Sequence, residues 1–234
     1  MVVCLPSRFR HKGSSLYPDE PMFRTQAAAR LAVMLATGVV PGAVLAPAAF
    51  AQMAPATSEP AKVESGSYAV EPSHTQILFS VSHMGFSIYY GQFSQATGTL
   101  NLDSKSPVKS SFDIQVPVAS VTTTSDKLTG ELKSSAWLDA SADPTITFKS
   151  TKVTPVGHGY ATVAGTLTLH GVTRPITLKA KLVGAGINPL DKKYTVGFDL
   201  TGNLRRSDFG VKTYVPLIGD TVTLTISGVF EKQG

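Results

Sequence analysis

The stretch that decides the fold is the last apolar run of the chain, Thr221-Val222-Thr223-Leu224-Thr225-Ile226-Ser227-Gly228-Val229-Phe230. Within it Val222, Leu224, Ile226 and Phe230 share one parity, whereas hydroxyl-bearing residues occupy most of the other. Successive side chains of a β-strand point to opposite faces of the sheet. The run therefore predicts a strand with one apolar face and one face toward water.

The same alternation recurs upstream in short runs that are separated by Gly, Pro, Asp and Asn. Together with the last run, these segments predict about eight strands, the others lying near residues 76–82, 90–102, 111–116, 145–154, 162–169, 177–182 and 194–201. In the second of them the apolar parity changes between Phe93 and Leu100, with Gly98 between. This change predicts a bulge that bends a long strand.

One sizeable stretch, residues 122–140, lacks the alternation. Leu128, Leu132, Ala136 and Trp137 recur there at helical spacing, after the candidate cap residues Thr124 and Ser125. Eight antiparallel strands without a helical crossover favour an up-and-down barrel or a sandwich, and a closed barrel leaves no exposed edge. The sequence thus predicts an all-β domain over residues 67–234, an eight-stranded antiparallel barrel with one short helix.

The first fifty-one residues indicate export. No charged residue occurs from Leu31 to Ala51, and Arg24 and Arg30 precede this stretch. Ala49-Phe50-Ala51 has the small-x-small pattern of a signal-peptidase site, so residues 1–51 are predicted to carry a cleaved signal peptide and the protein to be periplasmic. About twenty mixed residues precede Met22, which we interpret as the true start. Residues 52–66 are rich in Ala, Pro, Ser and Glu and predict a flexible linker.

Composition excludes several other classes of protein. Cleavage after Ala51 removes Cys4, the only cysteine, so disulfides cannot hold the mature domain. It also removes five of the 21 basic and two of the 16 acidic residues, which leaves a net charge of +2 and predicts no nucleic-acid partner. The sequence contains no Gly-x-Ser-x-Gly elbow and no phosphate-binding glycine loop.

Five motifs in order along the chain resemble the YceI-like family. They are Tyr68-Ala69-Val70-Glu71-Pro72-Ser73-His74, Phe79-Ser80-Val81-Ser82-His83-Met84-Gly85, Asp143-Pro144-Thr145-Ile146-Thr147-Phe148-Lys149-Ser150, Gly165-Thr166-Leu167-Thr168-Leu169-His170-Gly171-Val172-Thr173 and Arg206-Ser207-Asp208-Phe209-Gly210. The resemblance covers about Ser67 to Phe230. It implies a lipocalin-like barrel, usually periplasmic, that binds polyisoprenoids or other long amphiphiles in its interior and performs no catalysis.

Two positions depart from the family pattern. Glu71 stands where Asp is commoner, and Glu131-Leu132-Lys133 stands where an Asp and a His often precede the Leu-Lys pair. Neither change alters the strand pattern, but the second leaves the role of the helix open.

An eight-stranded barrel is either filled by its side chains or just wide enough for one small ligand. Small residues in the inward phase, including Gly165, Gly197 and Gly228, favour a cavity, although a tapered, packed core would give the same pattern. The predicted apolar lining of that cavity consists of Ile77, Phe79, Val81, Phe112, Ile114, Phe148, Leu167, Leu169, Leu178, Phe198, Leu200 and Phe209.

Three residues are candidates for contact with a polar head group: His74, His83 and Arg206. Arg206 shares the inward parity of Phe198, and its guanidinium could bind a phosphate or carboxylate; an internal salt bridge is the alternative. The two histidines lie about 30 Å apart on an extended strand, so no shared metal is predicted. Structural hydrogen bonding is the alternative for both of them.

The sequence therefore predicts a carrier for a long-chain amphiphile such as a polyisoprenoid, an isoprenoid quinone or a fatty-acid derivative. It predicts no cofactor besides the lipid. Transient contact with the inner membrane or a membrane protein, and pairing of two barrels, are both compatible with this prediction. A lipid-modifying isomerase or hydrolase and a small outer-membrane barrel are the alternatives; the single Trp137 and the few tyrosines at strand ends disfavour the second.

Overall fold

The computed structural model describes residues 56–234. The predicted signal peptide and the interpretation of Met22 as the start lie outside the described residues. Within them the structure has one α-helix, α1 (Asp126–Lys133), and four short 3₁₀ helices. Its ten strands are β1 (Gly66–Val70), β2 (Gln76–His83), β3 (Ser87–Phe93), β4 (Thr97–Leu102), β5 (Ser111–Pro117), β6 (Thr145–Gly157), β7 (Tyr160–Leu169), β8 (Val172–Ile187), β9 (Tyr194–Arg205) and β10 (Ile218–Lys232).

The ten strands occupy eight positions around one closed barrel, and we call each position a stave. β10 pairs with β1 through Val70 and Phe230, and with β2 through Gln76 and Ser227, so β1 and β2 are two halves of one stave. In the same way β3 pairs with β2 while β4 pairs with β1, which makes β3 and β4 the second stave. β5 to β10 follow in order, each antiparallel to its neighbour. The predicted eight-stranded antiparallel barrel is confirmed.

The first stave is broken by a turn that the motif around Glu71 builds. The Glu71 carboxylate accepts hydrogen bonds from the backbone N–H groups of Ser73 (2.9 Å) and His74 (2.8 Å). Thr75, which is 7% exposed, then exchanges hydrogen bonds with the backbone of Val229 on β10. The motif thus turns the chain between β1 and β2, and both strands remain paired with β10.

The second stave breaks where the parity change predicts a bend. Gln95 has a φ of +57° and Gly98 a φ of +129°. A Cβ atom at Gly98 would lie 2.1 Å from the carbonyl oxygen of Asp113 on β5. Only glycine fits so close to the neighbouring backbone, which explains why the bend carries this residue.

The upper end of the barrel, defined by the β2–β3 and β7–β8 turns, carries α1. Ser125 caps this helix and accepts a hydrogen bond from the backbone N–H of Leu128 at 3.3 Å. The helix ends at Lys133, so Trp137 lies in the following turns and not in the helix, and its ring packs against Tyr214. No helix within residues 56–234 is long and apolar enough to cross a membrane.

The lower end is covered by part of the segment that the sequence predicts to be a flexible linker. From residue 56 onward this segment lies against the barrel: Thr57 and Ala185 exchange two backbone hydrogen bonds of 2.8 Å. Val63 is only 5% exposed and belongs to the main apolar core. The expectation of a free linker therefore fails for the described part, because apolar residues within it have a place in the barrel.

Candidate functional site

Two cavities lie in the interior of the barrel, an upper one of about 220 Å³ and a lower one of about 200 Å³. The upper cavity is bounded by inward-facing residues of the strands and, at its end, by Leu132, Trp137 and Leu138 from α1 and the turns after it. Of its lining residues only Thr75 and Arg206 are polar or charged. An apolar pocket with a few polar groups is typical of a small-molecule binding site.

Ten of the twelve residues predicted to form the apolar lining surround the upper cavity: Ile77, Phe79, Val81, Phe112, Ile114, Phe148, Leu167, Leu169, Leu178 and Leu200. Phe198 instead lines the lower cavity. Phe209 is 1% exposed and packs with Leu167 and Leu169 in a separate buried cluster. Phe209 ends the 3₁₀ helix Arg206–Phe209 that follows β9, so the two-residue period of the strand does not set the direction of its side chain.

Several lining residues were not in the predicted set. Val222, Leu224 and Ile226 of β10 face the upper cavity, as the alternation of that strand could have indicated. Leu132, Trp137 and Leu138 carry no such signal, since their place depends on how the segment after β5 folds across the upper end.

Gly165 and Gly228 do not leave empty space, which corrects their interpretation as room for a ligand. Gly197 does not face the interior at all, because it has the opposite parity to the buried Val196 and Leu200 of β9. A Cβ atom at Gly165 would lie 2.6 Å from the ring of Phe148, and one at Gly228 would lie 3.2 Å from the ring of Phe230. Gly165 and Gly228 therefore each accommodate an aromatic ring. The cavity exists beside these rings, not in the place of the missing side chains.

Arg206 is buried at the edge of the upper cavity and is 5% exposed. Its Nε donates to the carbonyl of Gly219 (2.9 Å), Nη1 to that of Val211 (3.1 Å) and Nη2 to that of Ile218 (2.8 Å). The guanidinium also lies 5.4 Å from the ring of Trp137. Burial lowers the pKa of Arg206 by disfavouring its charged form.

The internal salt bridge considered for Arg206 is made by its neighbour instead. Arg205 is exposed, and its Nε donates to the Asp220 carboxylate at 2.9 Å. Within the described residues Arg206 has no carboxylate within salt-bridge distance, so backbone carbonyls are its partners. A cation thus faces an otherwise apolar chamber.

Neither candidate histidine lines a cavity. The His74 side chain is 77% exposed, and its Nδ1 lies 2.5 Å from the Glu71 carboxylate on the outside of the turn. His83 ends β2, with its ring 6.1 Å from that of Tyr89. Contact of either residue with a head group inside the barrel has no geometric support. In residues 56–234 no three His, Cys, Asp or Glu side chains cluster so as to hold a metal ion.

A closed eight-stranded antiparallel barrel around an apolar chamber defines the class of lipocalin-like barrels. Within that class the chain belongs to the YceI-like family: the family model of the YceI-like domain matches residues 68–230. This range runs from β1 to β10 and takes in nearly the whole described barrel.

Three similar proteins illustrate the relationship. A UPF0312 protein from Serratia proteamaculans is 38% identical over 154 residues, which cover 66% of this chain and 79% of that protein. The crystal structure of BcnA from Burkholderia cenocepacia matches with a TM-score of 0.62 at 22% identity, over 68% of this chain and 98% of that one. A polyisoprenoid-binding domain from Saccharophagus degradans, implicated in plant cell wall breakdown, matches with a TM-score of 0.55 at 15% identity, over 71% and 98% of the two chains.

Proposed function

We propose that this protein is a periplasmic carrier that binds a long-chain amphiphilic lipid, such as a polyisoprenoid, an isoprenoid quinone or a fatty-acid derivative, inside its barrel. The observation that carries the proposal is the upper cavity, whose lining is apolar apart from Thr75 and Arg206. Burial of apolar surface is favourable by about 25 cal/mol per Å². Such an apolar wall favours the binding of a hydrocarbon chain and discriminates little between types of chain.

The fold similarity to a polyisoprenoid-binding domain supports the same class of ligand. The outer face of the barrel is consistent with water as its surroundings, since Lys179 and Lys181 on β8 are exposed while Leu178 and Ala180, which alternate with them, are buried. A barrel in a lipid bilayer carries apolar residues on that outer face.

Binding without catalysis is supported by the state of the two polar lining residues. The Thr75 hydroxyl is engaged with the backbone of Val229, and three hydrogen bonds engage the guanidinium of Arg206. Neither group stands next to a second titratable side chain in the cavity wall. General acid–base or nucleophilic chemistry requires such mutually placed groups.

Arg206 gives the cavity a polarity that suits an anionic head group. A guanidinium has five N–H donors, of which the three carbonyl contacts use three. The remaining donors and the positive charge favour a phosphate or carboxylate at this end of the chamber. The hydrocarbon chain would then run from Arg206 toward Phe112 and Phe230.

The periplasmic location in this proposal rests on Arg24, Arg30 and the Ala49-Phe50-Ala51 pattern. A carrier there would receive or deliver its cargo in transient contact with the inner membrane or a membrane protein. Fractionation of the native host, with this protein followed by antibody, tests the location.

The function is tested by lipid extraction and mass spectrometry on protein purified from its own host. The variant Leu224→Trp places an indole in the upper cavity, whereas Thr225→Trp places the same group on the exposed face of the same strand. We expect a long-chain lipid with the wild type and with Thr225→Trp, and its loss with Leu224→Trp. Absence of lipid from all three proteins, or its chemical conversion by the purified wild type, would contradict a pure carrier.

A further inference from the structure

The interior of the barrel is divided by three phenylalanine rings. Phe112 lines both cavities, Phe230 lines the upper one and Phe198 lines the lower one. Their ring centroids lie 6.0–6.3 Å apart in pairs, with interplanar angles of 63–82°. We call these three side chains the aromatic partition.

The partition is held by packing alone. Edge-to-face contact is a favourable arrangement of aromatic rings, but these rings have no hydrogen-bonding group. Gly228 pairs with Phe198 across β9 and β10, and a Cβ atom there would come within 3.2 Å of the Phe230 ring. The rings therefore occupy space where one strand has no side chain. Displacing them leaves no buried polar group without a partner.

The volumes of the two cavities give the partition a consequence for ligand size. The upper cavity, at about 220 Å³, is smaller than the roughly 300–1,000 Å³ of ordinary small-molecule sites. The lower cavity adds about 200 Å³ on the far side of Phe112, so joining the two would nearly double the space. Its wall is again mainly apolar and includes Val163, Ala180 and Leu182.

We propose that the lower cavity is a second binding site, which takes the distal end of a long hydrocarbon chain, and that the aromatic partition sets the chain length at which this site is used. The inference rests on the proposed lipid-binding function. A short chain ends above the partition and leaves its rings in place. A longer chain displaces Phe112 and continues toward Pro60 and Val63, which line the lower cavity.

Two alanines on β7 provide a matched test. Ala161 lines the lower cavity, whereas Ala164 has the opposite parity on the same strand and lines neither cavity. Ala161→Leu fills part of the lower cavity. Ala164→Leu adds the same number of carbon atoms on the opposite face of β7, away from both cavities. Binding of geraniol, farnesol, geranylgeraniol and solanesol is measured by the fluorescence of Trp137, the only tryptophan, which lines the upper cavity.

We expect Ala161→Leu to leave geraniol binding unchanged and to weaken solanesol binding by about tenfold, as loss of burial for roughly two methylene groups implies. Ala164→Leu should match the wild type for every prenol. Phe112→Leu, which opens the partition, should strengthen solanesol binding relative to geraniol binding. Because Phe112→Leu acts in the opposite direction to Ala161→Leu, it also tests the proposal if thermal unfolding shows that Ala161→Leu does not fold.

Unchanged solanesol binding by Ala161→Leu, or an unchanged dependence on chain length for Phe112→Leu, would overturn the second site while leaving lipid binding intact. Failure of the wild type to bind any of the four prenols would instead remove the polyisoprenoid from the proposed function together with the inference.

Discussion

The guanidinium of Arg206 donates a hydrogen bond from Nη2 to the carbonyl of Ile218 at 2.8 Å, and both residues line the upper cavity. A further bond to the carbonyl of Gly219 also joins the segment after β9 to the start of β10, and a third, to the carbonyl of Val211, lies within that segment. The side chain thus closes the upper end of the barrel and also presents a positive charge to its interior. This structural role and the proposed ligand-binding role can be separated only by comparing ligands.

A head-group role for Arg206 predicts a loss that depends on the phosphate. We expect Arg206→Ala to weaken binding of geranylgeranyl phosphate by about tenfold or more beyond any loss for geranylgeraniol, since hydrogen bonds to charged groups contribute about 1.5–3 kcal/mol. A merely structural role weakens both ligands alike. Arg205→Ala is the control, because that side chain is exposed and pairs with Asp220. If the ratio of the two dissociation constants, for geranylgeranyl phosphate and for geranylgeraniol, is the same in Arg206→Ala as in Arg205→Ala, Arg206 has no role in head-group recognition.

Acid should destabilise the barrel in part through Asp220. Burial is the largest influence on this carboxyl and acts to raise its pKa, but hydrogen bonds from Ser207 and from Arg205 outweigh it, so the pKa lies below the ordinary 3.8. The folded state therefore favours the carboxylate. The resulting stability is fully present above the ordinary pKa and is lost as pH falls through the lower, folded value.

We accordingly expect Asp220→Asn to cost about 1–3 kcal/mol at neutral pH and to flatten the fall of the unfolding free energy below about pH 5. Urea unfolding at a series of pH values provides the measurement. Asp208→Asn, in the same turn, is the control. A pH dependence as steep in Asp220→Asn as in the wild type would show that other carboxyls, such as Glu71, carry the effect.

Two glycines should respond to alanine in opposite directions. A Cβ atom at Gly165 would lie 2.5 Å from the carbonyl oxygen of Lys149 and 2.6 Å from the ring of Phe148, whereas nothing lies within 4 Å of one at Gly130 in α1. We expect Gly165→Ala to cost about 1–3 kcal/mol by overpacking. Gly130→Ala should gain about 0.5–1 kcal/mol because alanine loses less backbone entropy in a helix. Thermal or urea unfolding of the two variants provides the measurement. A change of the same sign in the unfolding free energy of both variants would contradict the contact geometry.

The sequence was sufficient for the features that follow from the period of a strand. Alternation in runs such as Val222 to Phe230 predicted eight antiparallel staves, and the same parity placed ten residues in the wall of the upper cavity. The bend near Gly98 was also visible, because a change of parity requires an extra residue in the strand.

What parity could not predict lies where the chain leaves the strand conformation. The His74 side chain lies on the outside because the N–H groups of its turn donate to the Glu71 carboxylate. Phe209 packs in a separate buried cluster because a 3₁₀ helix follows β9 after Arg205. The aromatic partition was hidden for a different reason. Phe198 and Phe230 lie on the consecutive, paired strands β9 and β10, but Phe112 comes from β5, and only closure of the barrel brings its ring against the other two.

Alkali should act on the barrel through Tyr68, which is fully buried and donates a hydrogen bond to the carbonyl of Glu64 at 2.5 Å. Burial, with smaller contributions from Tyr194 and Glu64, raises the pKa of Tyr68 from 10.0 to about 12. Because the folded state disfavours the phenolate, the stability from this group is complete below about pH 10 and is lost as pH rises through the folded value. In an absorbance titration we expect one phenol to ionise last and together with unfolding, and Tyr68→Phe to lack that step. Tyr214→Phe, at a side chain 65% exposed, should retain it; if Tyr68→Phe also retains it, the late phenol belongs to another residue.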